Sequence, residues 1–342
     1  MSGLSVRERL HLAVSGEPVT HPVFAVYDWF VKNRPQIDWT GLFARGLGQI
    51  NHADIIAYRR PHVEISETWT ETPQGPRRDV RWVTDRGELH EWYLGEWRQE
   101  YLIKTAEDYA VMARAWEDVD LTLTDAAFRA SEAEVGANGI TVAQLDRTPL
   151  QKIQIDYAGL ERFSIDLAER RPQLFALIEQ MNAIKLAEFR LARDSAAEHI
   201  KLWENLSIET MGPHHYRRQL VPLYRQIFDA LDGTGKRLQV HYDGRLRAIA
   251  RDIQELPFDG LDSLTPPPEG DLTTAEARRL WTDKYLWLHP TLTWYSLPAE
   301  ALAARVREMA AAAGPTRYCL MISEDIPAAW ETTVPTVLAA LA

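Results

Sequence analysis

From residue 171 onward the chain repeats one pattern, a short apolar strand followed by an amphipathic helix, and this repetition constrains the fold more than any other feature. Residues 171–195 carry Leu174, Leu177, Ile178, Met181, Ile184, Leu186 and Phe189 at largely helical spacing. A strand is expected at 199–204 and a helix at 214–231, where Gly233 and Gly235 supply left-handed ends. Strands at 237–241, 258–264, 285–289 and 316–323 then alternate with helices at 245–256, around 275–281 and at 298–313. Strands separated by helices pair in parallel through right-handed crossovers. The number of units fits a closed (β/α)8 barrel better than a doubly wound sheet.

The first half reads differently. Residues 5–15 form an amphipathic helix, with Ser5 as N-cap and Glu8 completing a capping box. Residues 21–26 read as a strand. The alternating stretches 78–84 and 88–93, set among Gly75, Pro76 and Gly87, predict hairpins within residues 52–102. No Ser/Gly linker or internal sequence repeat divides the chain, so residues 1–342 read as one barrel domain with N-terminal helical and hairpin additions. Most of the twelve tryptophans, including Trp69, Trp82, Trp92 and Trp97, are expected in the core, with one or two lining an aromatic pocket.

Composition narrows the class. A chain this long with 46% hydrophobic residues buries enough surface to fold without a disulfide or a metal. Cys319 is the only cysteine, which excludes an intrachain disulfide framework and cysteine-rich zinc sites. The net charge of −11 argues against a nucleic-acid partner. No apolar run reaches membrane length, and residues 1–22 read as a charged amphipathic segment instead of a signal peptide. A cytoplasmic protein is expected, with a homodimer as one option. Gly233-Thr234-Gly235-Lys236 lacks the earlier glycine of a phosphate-binding loop, and no Gly-x-Ser-x-Gly or His-Glu-x-x-His occurs.

In a parallel barrel the chemistry gathers where strands end. The late strands end in Glu204, in His241 and Asp243, in His289 and in Glu324. His241 and Asp243 are two residues apart, so in extended backbone they point the same way. One imidazole with several carboxylates at one mouth suits either a divalent cation or acid–base chemistry. Asp243 before Gly244 also reads as a helix cap, and His289 before Pro290 also reads as a structural histidine.

Several segments together resemble the uroporphyrinogen decarboxylase superfamily, which includes corrinoid-dependent methyltransferases. They are Arg7-Glu8-Arg9-Leu10 through Gly16-Glu17-Pro18, then His21-Pro22-Val23 and residues 101–109. Glu204-Asn205 and Leu220-Val221-Pro222 extend the resemblance along the chain. Val240-His241-Tyr242-Asp243-Gly244 sits where methyltransferase members carry His-x-Cys-Gly, and residues 323–327 where they carry a late Cys-Gly-Ile-Pro-like turn. The resemblance implies a (β/α)8 barrel and a metal held by His241, with Asp243 and Glu324 in place of two thiolates and Glu204 completing the set. It implies zinc first; the harder carboxylate sphere raises manganese, iron or cobalt.

The decarboxylase branch fits less well. Its arginine motif after the first strand is replaced by Val26-Tyr27-Asp28-Trp29-Phe30-Val31-Lys32, which offers too few cations to grip a tetrapyrrole. The resulting expectation is a metal-dependent methyltransferase or demethylase acting on a small methylated substrate, with Tyr27, Asp28, Trp29 and His289 as substrate contacts. Its methyl acceptor would be the corrinoid of a separate protein. A metal-dependent lyase or decarboxylase of a small acid is the enzymatic alternative, and an inactive metabolite-binding barrel is the other.

Overall fold

The protein is described from a computed structural model covering residues 3–322, 326 and 329–342. The chain forms two compact units, one built from Met1–Ile55, Thr124–Leu145 and Ser195–Ala342, the other from Ile56–Leu123 and Asp146–Asp194.

The first unit is a closed parallel barrel of eight strands: β1 (Phe24–Tyr27), β2 (Gly48–Asp54), β3 (Gly139–Leu145), β4 (His199–Ser207), β5 (Arg237–Asp243), β6 (Gly260–Leu264), β7 (Tyr285–Leu288) and β8 (Tyr318–Ile322). Consecutive strands are neighbours throughout, and β1 closes the ring against β8 through Phe24 opposite Leu320. Alternation of strand and helix therefore produces the (β/α)8 barrel read from the sequence. Strands β1 and β8 are buried at every position, because a barrel strand faces packed side chains inside and helices outside. Cys319 lies fully buried within β8.

α1 (Val6–Ser15) carries the Ser5–Glu8 capping box and ends at Gly16, whose φ of 88° is the left-handed conformation glycine adopts without cost. Local chemistry adjusts several other boundaries. The helix expected at 214–231 is interrupted by Pro222 near its start, and appears as the wider turn Tyr216–Leu220 followed by the helix Val221–Leu231. Residues 52–54 belong to barrel strand β2, and only the chain beyond it makes hairpins. β3 had no counterpart among the expected strands.

The second unit holds a four-stranded antiparallel meander, Glu64–Thr72, Gly75–Thr84, Gly87–Leu94 and Trp97–Glu100. A two-stranded ribbon pairs Ile56–Arg59 with Asp120–Leu123. Helices Asp108–Glu117, Gly159–Ala168 and Pro172–Ala192 complete it. Not all of its tryptophans are core: Trp97 is 79% and Trp69 60% exposed. The meander covers rings with guanidinium groups instead, Arg77 lying 4.3 Å from the Trp92 ring centre and Arg60 5.2 Å from that of Trp82. Among the described residues no helix is long and apolar enough to cross a membrane.

Gly260 opens β6 beneath the ring of Tyr285, whose hydroxyl donates to Gln239 Oε1 at 2.8 Å. A Cβ at residue 260 would lie 2.2 Å from that ring. Gly260→Ala is predicted to cost about 1–3 kcal/mol by overpacking. Urea denaturation checks this, and an unchanged midpoint would show that the ring is free to move aside.

Candidate active site

Six barrel strands deliver polar side chains to one place at their C-terminal ends. β1 ends in Tyr27, with Asp28 directly after it; β2 brings His52, β4 Lys201 and Trp203, and β5 His241 and Asp243. β6 brings Asp262 and Ser263, while His289 follows β7. Two-residue alternation explains why Lys201 and Trp203, like His241 and Asp243, share the interior face.

Asp262 is the centre of the group and is almost fully buried. Its Oδ1 accepts from the Tyr27 hydroxyl at 2.5 Å and from the Ser263 backbone amide at 2.9 Å, and lies 3.4 Å from His289 Nε2. Its Oδ2 pairs with the Lys201 ammonium and lies 2.8 Å from His241 Nδ1. The ammonium also sits 3.3 Å from His52 Nε2 and 3.6 Å from the centre of the Trp203 ring, which stacks on His241 with centroids 4.6 Å apart. His52 Nδ1 turns to Asp28 Oδ1 at 3.0 Å, and Lys32 reaches the other oxygen of Asp28.

These neighbours set the charges. Burial alone would push Asp262 up, but Lys201 and His241 hold it well below the usual carboxylate range. Burial lowers Lys201 despite Asp262 beside it. Burial works against charge on His241 too, yet Asp262 and Asp243 outweigh it and raise this histidine above its ordinary value. His289 is lowered by burial, and His52 is pushed down to about 4 by burial and the Lys201 cation. Two neutral imidazoles thus flank one that favours its proton.

Two backbone irregularities mark the same end of the barrel. Register shifts between Leu202 and Leu206 where β4 meets β5, and between Leu261 and Leu264 where β6 meets β7. Asn205 and Ser263, inside these two stretches, adopt φ values of 50° and 68°. Left-handed non-glycine residues store strain of order 1–3 kcal/mol, and such strain clusters at functional sites.

Of the residues expected at the site, Tyr27, Asp28, His241, Asp243 and His289 are brought together. Glu204 is not. Alternation along β4 turns it to the opposite face from Trp203, where it accepts from the Tyr224 hydroxyl at 2.6 Å. Trp29 is 55% exposed and packs edge-on against Phe30. Glu324 lies outside the described residues. Sequence reasoning passed over His52, Lys201 and Asp262. The available signal was a charged residue inside an otherwise apolar strand, as in Ile200-Lys201-Leu202 and Leu261-Asp262, where a buried charge demands a partner.

His241 and Asp243 suit a metal ion as a pair. His241 Nδ1 is held by Asp262, while Nε2 faces Asp243 Oδ1 at 3.4 Å. Two donors on one tetrahedral zinc stand roughly 3.3 Å apart, and a carboxylate behind the imidazole is the usual support for a metal-bound histidine. Among the described residues no third histidine, cysteine or carboxylate joins them at coordinating distance.

The fold and the site together define a (β/α)8 barrel with a buried polar cluster at the strand ends. No protein-family model and no curated protein matches the chain. It is similar in structure to a methyltransferase from Methanosarcina mazei, with a TM-score of 0.60 and 12% identity, covering 99% of this chain and 98% of that one. It also aligns with a B12-independent methionine synthase from Shewanella sp. W3-18-1, with a TM-score of 0.44 and 10% identity over 82% of this chain and 74% of that one. At such identities the first likeness establishes the shared barrel, and the second adds nothing to it.

Removing the central charge is the most direct test of this electrostatic arrangement. Asp262→Asn strands a buried ammonium and is predicted to cost about 3–5 kcal/mol, whereas replacing both Lys201 and Asp262 by apolar residues recovers much of that loss. His241 lies above its ordinary 6.5, so its pairing stabilises fully below 6.5 and fades as pH rises through the higher folded value. Asp262→Asn should shift the His241 titration downward in proton NMR. Unchanged stability together with an unchanged titration would refute the arrangement.

Proposed function

We propose that the chain is an enzyme that moves a methyl group from or to a heteroatom of a small substrate bound at the C-terminal mouth of the barrel. The observation that carries this reading is the Asp262 cluster, in which six strands hold charged and titratable groups that stability alone does not require. The similarity to a methyltransferase from Methanosarcina mazei along nearly the whole chain supports the choice of reaction.

In this reading His241 Nε2 gives up the proton it favours and, with Asp243, holds a divalent ion, zinc first, with manganese, iron or cobalt as alternatives. When bound, the ion supplies a Lewis acid at the heteroatom that carries the methyl group. The chain's own residues do the rest. Asp262 fixes the His241 ring and keeps its outward nitrogen aimed at Asp243. Lys201, itself neutralised by Asp262, holds the Trp203 ring by a cation–π contact. Trp203 backs His241 as a flat apolar wall against which a small substrate can lie. Asp243, whose side chain is 39% exposed, is the open edge by which the substrate enters. The methyl acceptor or donor is the corrinoid of a separate protein.

Metal content and methyl transfer test this separately. His241→Ala and Asp243→Ala are each predicted to lower metal affinity by more than roughly 10–100-fold, measured by elemental analysis of tag-free protein. Addition of cob(I)alamin, free or on a corrinoid protein, with methylated substrate should give the spectrum of methylcobalamin in wild type only. Turnover of a small acid with metal alone would select lyase chemistry instead, and carbon dioxide released from uroporphyrinogen would overturn the branch chosen.

A further inference from the structure

The opposite, N-terminal end of the barrel carries a second set of donors. α1 lies across the strand starts there. Val6 occupies space that a Cβ on Gly48 would need, and Arg7 reaches both Glu132 and the Gly136 carbonyl. This seats His11, one turn further on, beside His199, the first residue of β4, with ring centroids 5.7 Å apart. Glu198 immediately precedes the strand, and its backbone carbonyl is tied to the Arg237 amide at 2.8 Å. One donor atom from each of His11, Glu198 and His199 lies within 4.8 Å of the other two.

His199 is the telling member. It is only 4% exposed, yet among the described residues neither ring nitrogen has a hydrogen-bond partner. Buried polar groups are nearly always satisfied, so an imidazole with two unmet nitrogens calls for a ligand. The space for one exists, since a cavity of about 660 Å³ is lined by Glu8, His11, Ser15, Glu198, His199 and Arg237. Burial, helped by His11 and Arg237, pushes His199 down to about 3, so the ring stays neutral with a lone pair free. The charge of Arg237 is offset by Asp259 at 3.8 Å.

We infer that His11, Glu198 and His199 form a binding site for a divalent transition-metal ion, zinc by its donor set, that clips α1 onto the base of the barrel. Two imidazoles and one carboxylate leave a fourth tetrahedral position to water from the cavity. Donors around one zinc stand roughly 3.3 Å apart, so the site contracts slightly on binding. His11, half-buried, and Glu198, exposed, have the freedom to close in on the fixed His199.

The test uses the tag-free full-length chain, stripped with chelator and titrated with Zn²⁺ or Co²⁺ alone. His241→Ala removes the metal proposed at the mouth, and in that background one equivalent should still bind, raising the melting temperature as zinc is added. Introducing His11→Ala or Glu198→Gln should weaken that equivalent roughly tenfold or more and abolish the rise, with the circular dichroism spectrum unchanged. His199→Ala is the stronger change but disturbs a buried position, so the other two variants decide. No binding in the His241→Ala background, or equal affinity in all variants, would overturn the site.

Discussion

The Lys201–Asp262 charge pair is the constraint around which the barrel interior is organised. Both residues are almost completely buried, and neither charge could remain there alone, since burying an isolated ion costs far more than the net stability of a domain. Each therefore collects partners. Asp262 takes Tyr27, His241, His289 and the Ser263 amide, while Lys201 takes His52 and the faces of Trp203 and Tyr27. Satisfying one pair thus draws in side chains from β1, β2, β4, β5, β6 and the end of β7. A buried pair of this kind adds little net stability compared with apolar residues of equal volume. What it provides is fixed orientation, and the His241 ring is its main beneficiary.

The strained residues belong to the same account. Asp262 reaches back to the amide of its own neighbour, Ser263, whose hydroxyl in turn donates to Asp243 Oδ1 at 2.9 Å. That arrangement needs the left-handed turn at Ser263, and the turn displaces the register between β6 and β7. Asn205 does the equivalent where β4 meets β5. At the mouth the ladder is bent to aim side chains, and the two register shifts fall there.

Strand–helix alternation made the barrel legible in the sequence, since parallel pairing leaves few ways to connect such units. His241 and Asp243 were legible for a related reason: two-residue spacing at a strand end survives any detail of packing. Glu204 misled because the strand expected to end at residue 204 runs on to Ser207 and its parity was not settled; one residue's shift turns a side chain from the interior to the helix layer, where Tyr224 holds it. Lys201 and Asp262 were missed because attention to strand ends passes over strand interiors, and each partner becomes meaningful only once the other is known. His52 was hidden by a boundary, as β2 continues into the stretch read as hairpin. The exposed tryptophans of the meander had no sequence signal, since an aromatic in an alternating strand can face either side.

β4 links the two ends of the molecule through a single parity. His199, Lys201 and Trp203 alternate with Ile200 and Leu202, so one face of one strand carries an imidazole at the base, an ammonium at the centre and an indole at the mouth. The span from His199 to Trp203 is about 13 Å at the rise of an extended strand. Between them stands a buried cation whose charge is cancelled locally by Asp262, which sits nearer the mouth histidines than the base. The donors proposed at the base and at the mouth therefore stand at opposite ends of the barrel, with the neutralised Lys201–Asp262 pair between them.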